Sequence, residues 1–150
     1  MELHQDFKEF IELLNVHGVD YLVIGGYAVN YHGYPRYTKD IDFWIWLTDE
    51  NIEKLLCAIH KFGFASLGLE PNDFSNKKNI VQLGLEPYRI DILMDLEGLN
   101  FEACYKQKVR AEIDGVTVTF MSLDDLIKAK ENAGRSQDIA DSEQLKKINK

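Results

Sequence analysis

The sequence has few cysteines, little positive charge and no long hydrophobic run, and each shortage argues against a class of protein. Two cysteines among 150 residues are too few for a disulfide scaffold, and Cys57 and Cys104 show no paired spacing. We therefore predict two buried free thiols in a reducing compartment. No apolar run approaches the ~20 residues of a membrane-spanning helix, and the acidic N-terminus lacks the features of a signal peptide. A cytoplasmic protein with no membrane partner is expected.

Positive charge is scarce, with 17 Lys and Arg against 25 Asp and Glu and a formal net charge of −8. This balance argues against a broad basic surface for nucleic acid. It leaves open a small triphosphate ligand, which needs only a few local cations or a bound metal. The hydrophobic content of 45% fits a packed globular protein. The length of 150 residues is most simply one domain.

Hydrophobic periodicity predicts an α+β (mixed α/β) fold. Helices are predicted at residues 3–16, 27–32, 48–63 and 122–134 and from about 136 onward. Strands are predicted at residues 21–24, 36–47, 80–85, 88–96, 109–113 and 116–121. Asp114-Gly115, between the last two strands, is typical of a type I′ hairpin turn, and Glu86-Pro87 is predicted to connect an earlier strand pair.

The stretch from residue 23 to residue 46 places two acids in an apolar strand. Asp40 and Asp42 are one residue apart, so their side chains are predicted to share one face. Burying them side by side is unfavourable unless a cation lies between them. Asp91 is a third strand acid, and if its strand lies alongside, three carboxylates could converge. At ~4 Å and an effective dielectric of ~20, each carboxylate pair would cost on the order of 4 kcal/mol.

Such a carboxylate cluster would bind a divalent cation or take up protons. Oxygen-only ligation favours Mg²⁺ or Mn²⁺ over Zn²⁺, and two metals could form a clamp for phosphoryl chemistry. Gly25-Gly26 adds a strand-to-helix turn at which backbone N–H groups could approach phosphates. An ordinary tight turn would explain a lone glycine pair as well. The glycine pair, the Asp-Ile-Asp sequence and the third acid together are more specific than any one of them.

The run GGYAVNYHGYPRYTKDID resembles the nucleotidyltransferase superfamily that shares the DNA polymerase β palm. It is most similar to the small bacterial branch with AbiEii-like toxins and aminoglycoside and lincosamide nucleotidyltransferases. The branch pattern is matched at Gly25, Gly26, Ala28, His32, Gly33, Arg36, Thr38, Asp40 and Asp42. The strand around Asp91 resembles the one with the third catalytic carboxylate. The C-terminal segment is similar to the branch's Lys-x4-Arg-x2-Asp-x2-Asp signature at Lys130, Arg135, Asp138 and Asp141.

The resemblance implies a metal-dependent mechanism. Two Mg²⁺ ions, or Mn²⁺, would be held by Asp40 and Asp42, and Asp91 would ligate the metal near the attacking group and could act as general base. The NTP would be bound by Gly25, Gly26, Arg36, Thr38 and Lys130. An acceptor hydroxyl would attack the α-phosphorus, with pyrophosphate as leaving group.

The resemblance also divides the single domain into a palm core at about 1–121 and C-terminal helices at about 122–150. Larger members carry a helical acceptor domain after the palm, so here a protein partner or a second copy could complete the acceptor site. The acceptor could be a small molecule, a protein side chain or an RNA end. The alternative is a non-catalytic nucleotide- or protein-binding module, such as a toxin–antitoxin component. A glycosyltransferase also uses Asp-x-Asp, but lacks the glycine turn and the third acid.

Several nearby residues have two interpretations each. Arg36 could contact a phosphate or pair with an acid beside the site. Lys130 and Arg135 could neutralise the triphosphate or anchor the last helix to Asp138. His32 could be a metal ligand, but a hydrogen-bonding role at a turn or helix end is favoured.

Three further residues are weighed as site candidates. Asp95 is predicted to share the strand face of Asp91 and could replace it, although a solvated acid at the strand end is favoured. Trp44 and Trp46 could stack on a base, although core packing is favoured.

Overall fold

A mixed β-sheet flanked by helices forms the computed structural model, which describes residues 1–76, 78–84 and 87–149. Its strands are β1 (Tyr21–Ile24), β2 (Ile41–Ile45), β3 (Ile80–Leu83), β4 (Ile90–Leu93), β5 (Val109–Ile113) and β6 (Val116–Phe120). Its α-helices are α1 (Gln5–Val16), α2 (Gly25–Tyr31), α3 (Asp49–Ile59), α4 (Phe101–Lys106), α5 (Leu123–Ala133) and α6 (Ser136–Ile148). This arrangement confirms the predicted α+β fold.

The sheet order is β3-β4-β2-β1-β6-β5, and it positions the candidate site. Strand β2 pairs with β4 in parallel and with β1 in antiparallel orientation. In this register Asp42 lies beside Asp91 on one side and Ile24 on the other. The strand of the third acid is therefore the immediate neighbour of the strand of Asp42, as the three-carboxylate interpretation requires.

The turn and capping residues predicted at the ends of several helices and strands are confirmed. Strand β1 has the predicted bounds. Asp114 and Gly115 have φ angles of 50° and 81°, the positive values that a type I′ turn needs. The Ser122 side chain accepts a hydrogen bond from the backbone N–H of Asp125 at the start of α5. The helix ends at Gly134, whose left-handed conformation allows the αL cap.

Other boundaries differ from the prediction. Strand β2 begins at Ile41 instead of residue 36, helix α2 begins at Gly25 instead of residue 27, and β4 ends at Leu93. Leu85 at the predicted end of a strand, and Glu86 in the predicted connection, lie outside the described residues.

The two cysteines are free, but only Cys104 is buried. The prediction of a buried thiol was wrong for Cys57, because that position lies on the exposed face of α3. Within the described ranges, none of the helices combines the length and apolar character needed to cross a bilayer.

Candidate active site

One cavity of about 510 Å³ lies where β1 ends and where β2 and β4 begin. Every residue predicted to bind metal or NTP lines this cavity. They are Gly25, Gly26, Arg36, Thr38, Asp40, Asp42, Asp91 and Lys130. The fold thus brings residues from both ends of the chain to one surface.

The two glycines give the acids room. Gly25 has a φ of 66°, and a Cβ atom there would collide with Oδ2 of Asp42. A Cβ atom on Gly26 would lie 2.8 Å from Oγ1 of Thr38, closer than side chains normally approach. Neither position therefore accepts a larger residue without displacement of a cavity-lining side chain.

Arg89 bridges two of the three carboxylates. Its Nε donates to Oδ1 of Asp91 at 2.7 Å, and its Nη2 donates to Oδ2 of Asp91 and to Oδ2 of Asp40, each at 3.1 Å. These are charge-assisted contacts with the two-pronged geometry that arginine favours. Arg89 thus supplies part of the positive charge that three neighbouring acids require.

Asp42 has the most perturbed environment of the three acids. Burial, together with the negative charges of Asp91 and Asp40, raises the pKa of Asp42 from 3.8 to about 7, against the opposing effect of Lys130 and Arg89. An additional cation beside Asp42 would stabilise its ionised form, which burial and the neighbouring acids disfavour.

The donor set fits a divalent cation chemically, although the ligands are not gathered around one point. The three carboxylates supply only oxygen, the donor that Mg²⁺ prefers. Oδ1 of Asp40 is buried, and no hydrogen-bond donor among the described residues reaches it. In the described part of the chain, no three acids, histidines or cysteines lie close enough together to hold a metal ion as they stand. Arg89 donates to both carboxylate oxygens of Asp91, so it would have to release Asp91 for this carboxylate to become a ligand.

The segment before β2 is an ordered loop instead of the predicted strand. The Asn30 side chain donates to the carbonyl of Arg36 and accepts from its N–H. These backbone groups are therefore not available for hydrogen bonds to a neighbouring strand. The Thr38 hydroxyl donates to the carbonyl of Asp40. This network positions Asp40 immediately ahead of the strand. Nothing in the sequence marked Asn30 for this role.

The C-terminal helices are joined to the site by buried ion pairs. Lys130 on α5 contacts Asp138 at 3.3 Å and Asp141 at 3.1 Å. Arg36 contacts Asp141 at 3.1 Å, and Arg135 contacts Asp138 at 2.6 Å. Lys130 is 8% exposed, and the two acids of α6 are 2% and 0% exposed. The predicted anchoring of the last helix to Asp138 is confirmed as a contact.

One nitrogen of the Arg36 guanidinium lacks a hydrogen-bond acceptor among the described residues. This nitrogen, Nε, is buried. A donor of this kind at a cavity wall can bind an anionic oxygen.

The other candidate residues do not line this cavity. Asp95 is exposed and lines a different cavity, which confirms the favoured interpretation of a solvated acid. Its predicted place within the strand of Asp91 was wrong, because β4 ends at Leu93. The His32 ring is hydrogen-bonded to the carbonyl of Met121, as expected for a residue at a helix end. Trp44 and Trp46 pack on Phe101, which confirms the core-packing interpretation.

Arg89 is the site residue that sequence reasoning passed over. The strand predicted at residues 88–96 puts Arg89 on the same face as Asp91, but no role was assigned to it. A basic residue two positions before a strand acid was the available signal, because the two side chains can meet.

We expect Gly25→Ala to destabilise the protein by more than Gly68→Ala. Gly68 has nearly the same φ, 63°, but no atom lies within 4 Å of its added Cβ. The left-handed strain of about 1 kcal/mol is common to both variants. The additional loss of stability in Gly25→Ala therefore measures the collision with Asp42. Urea unfolding of both variants gives the comparison, and equal losses would contradict the crowding at Asp42.

Residues 3–150 match the profile of a family described as nucleotidyl transferase of unknown function (DUF2204). Comparison with curated protein sequences gave no match.

Several solved structures share the fold at low sequence identity. A lincomycin-bound lincosamide antibiotic adenylyltransferase, LnuA, has a TM-score of 0.62 at 16% identity, with 98% of each chain covered. ANT(2")-Ia, in complex with adenylyl-2"-tobramycin, has a TM-score of 0.56 at 13% identity, covering 93% of this chain and 84% of that one. An antigenic nucleotidyltransferase-like protein from Paracoccidioides brasiliensis has a TM-score of 0.56 at 17% identity, covering 97% and 78%.

Proposed function

The chain belongs to the family of nucleotidyl transferases of unknown function, and we propose that it moves an NMP from an NTP to an acceptor hydroxyl. The observation that carries this proposal is the convergence of Asp40, Asp42 and Asp91 with the Gly25-Gly26 turn on one cavity. A site with these carboxylates and an adjoining backbone without Cβ atoms suits phosphoryl chemistry.

In the proposed reaction the acceptor oxygen forms a bond to the α-phosphorus. The bond between that phosphorus and the oxygen bridging to the β-phosphorus breaks, and pyrophosphate leaves with the electron pair. Asp91 accepts the hydroxyl proton after Arg89 has released its carboxylate. Gly25 and Gly26 leave space for the β- and γ-phosphates, and the buried Nε of Arg36 donates to a phosphate oxygen.

Asp40, Asp42 and Asp91 would hold two Mg²⁺ ions, with Mn²⁺ as a substitute. When bound, these ions would neutralise charge on the phosphates and polarise the α-phosphate. The unpaired Oδ1 of Asp40 and the raised pKa of Asp42 support cation binding here.

The test is incubation of the protein with each α-³²P-labelled NTP and Mg²⁺, alone and with cell extract. Transfer of label to a small molecule, protein or RNA identifies the acceptor class, and comparison of the four NTPs identifies the base preference. Absence of transfer under all conditions, with nucleotide binding that survives Asp42→Ala and needs no Mg²⁺, would contradict catalysis. That result would favour the non-catalytic binding module.

We expect Arg89→Met to lower the stability of the protein in EDTA and to make it depend on Mg²⁺. Loss of the bridge leaves Asp40 and Asp91 without Arg89, and a cost of about 2 kcal/mol is expected for these partly exposed pairs. Mg²⁺ should recover most of that loss, since binding to the folded state stabilises it.

Arg110→Met is the matched control for this experiment, because Arg110 is exposed on β5 and donates only to the Tyr105 hydroxyl among the described contacts. Thermal unfolding of both variants with EDTA and with Mg²⁺ gives four melting temperatures. An equal effect of Mg²⁺ on the two variants would contradict a cation site at the acids bridged by Arg89.

A further inference from the structure

The cavity has an apolar wall in addition to its acids and its glycine turn. Its aliphatic residues come from two strands, the segment after β4 and one helix. They are Ile80, Leu93, Leu96, Leu126, Ala129 and Ala133. Ile80 and Leu93 are register partners in β3 and β4, so they form one continuous surface.

The sheet order fixes where this wall lies relative to the acids. From β1 to β3, the sheet presents Gly25 at the end of β1, Asp42 on β2, Asp91 on β4 and Ile80 on β3. Leu93 lies two residues after Asp91, and side chains two apart in a strand share one face. The acids therefore separate the glycine turn from Ile80 and Leu93, the strand residues of the apolar wall.

An in-line displacement places the attacking and leaving oxygens on opposite sides of phosphorus. If pyrophosphate leaves towards the glycine turn, the acceptor enters from the side of Asp91 and the wall. We propose that Ile80 and Leu93, the strand residues of the apolar wall, form the acceptor subsite. The inference rests on the proposed transfer reaction and adds the chemical class of its acceptor.

The acceptor is a neutral small molecule with an apolar group beside the reacting hydroxyl. The wall carries no charge and offers no side-chain hydrogen bond, so a polycation or a polar chain would lose hydration there without replacement. An apolar group would gain, since burial of each CH₂ improves affinity about threefold to fourfold. A cavity of about 510 Å³ is within the usual size range of small-molecule sites.

The apolar wall can be tested without knowledge of the natural acceptor. Methyl β-D-glucoside and hexyl β-D-glucoside, which differ by five CH₂ groups, are titrated into the protein with α,β-methylene-ATP and Mg²⁺. Methyl signals of Ile and Leu in NMR spectra report the site and the dissociation constant. We expect the hexyl compound to bind about 10²- to 10³-fold more tightly and to shift the signals of Ile80 and Leu93.

Ile80→Ser should weaken binding of the hexyl compound about tenfold and leave nucleotide affinity unchanged. Leu67→Ser is the matched control, because Leu67 is 51% exposed and Ile80 is 53% exposed, and the control should bind like the wild type. Equal affinity for the two glucosides would overturn the inference. Competition between the nucleotide and the hexyl compound would assign the wall to the nucleobase, and displacement of the hexyl compound by tobramycin would favour a cationic acceptor.

The same titration separates the two proposals. If neither α,β-methylene-ATP nor any of the other three nucleoside triphosphates binds with Mg²⁺, the proposed transfer reaction fails, whatever the glucosides do. If the nucleotide binds and the glucosides show no dependence on chain length, only the apolar acceptor subsite fails.

Discussion

The Asp42→Asn variant is expected to lose nucleotidyl transfer and, without metal, to unfold at a higher temperature than the wild type. Asparagine keeps the shape of the side chain but removes the negative charge. A loss of about 10³-fold in kcat is expected, since a ligand to a catalytic metal contributes several kcal/mol to the transition state. Label transfer from an α-labelled NTP measures this loss.

The gain in stability depends on pH in a defined direction. Because the pKa of Asp42 is about 7 in the folded protein and 3.8 as the ordinary value, the folded state holds a proton that the unfolded state has released. Stability of the wild type therefore falls as pH rises from about 4 to 7, by up to about 4 kcal/mol. The variant lacks this loss of stability. The difference in free energy of unfolding between the variant and the wild type is therefore absent below pH 4 and largest above pH 7.

The net gain at pH 8 in EDTA should be smaller, about 1–2 kcal/mol, because the buried amide has its own unsatisfied groups. For a protein of this size that corresponds to about 5 °C in melting temperature. Asp95→Asn is the matched control, since Asp95 is exposed and outside the cavity. Full activity in Asp42→Asn, or a melting temperature below that of the wild type, would contradict the arrangement.

The same substitution should have a different effect at the two other acids. From the sequence, like-charge repulsion predicts that Asp→Asn stabilises the metal-free protein at all three positions. The structure restricts this expectation to Asp42, since Asp40 and Asp91 both bind Arg89. An asparagine at either position would remove an ion pair together with the repulsion.

Periodicity and turn chemistry predicted most of the fold, because these signals are local. The short apolar strand before Gly25, the Asp114-Gly115 turn and the Ser122 cap follow from the residues themselves. The strand predicted from residue 36 was wrong at its beginning, because the Asn30 side chain binds the backbone of Arg36. That contact joins a helix to a loop and has no periodic signature.

The candidate site could be predicted as a set of residues but not as an arrangement. The glycine pair and the three acids were identified by type and spacing, and all of them line one cavity. The bridge from Arg89 to Asp40 and Asp91 depends on the parallel pairing of β2 with β4, which is a long-range choice of register. The ionic contacts of the last helix likewise depend on how α6 packs beside α5.

The Lys130→Met variant is expected to show the largest loss of stability, about 3–5 kcal/mol. Its ammonium contacts Asp138 and Asp141, which are 2% and 0% exposed. Removal of one partner from buried ion pairs has a cost of about this size, because the two acids then keep only the more exposed Arg135 and Arg36 as charged partners among the described residues. The melting temperature should fall by about 10 °C, and α6 should lose protection from amide hydrogen exchange before the sheet does.

Lys146→Met provides a control between the same two helices. Lys146 on α6 contacts Glu131 on α5 at 2.8 Å, but the two side chains are 54% and 46% exposed, so a loss below about 1 kcal/mol is expected. Adding Asp138→Asn to Lys130→Met should recover part of the stability, because it removes one of the buried negative charges. Equal losses in the two lysine variants, or no recovery in the double variant, would show that α6 is held by packing instead of by the buried charges.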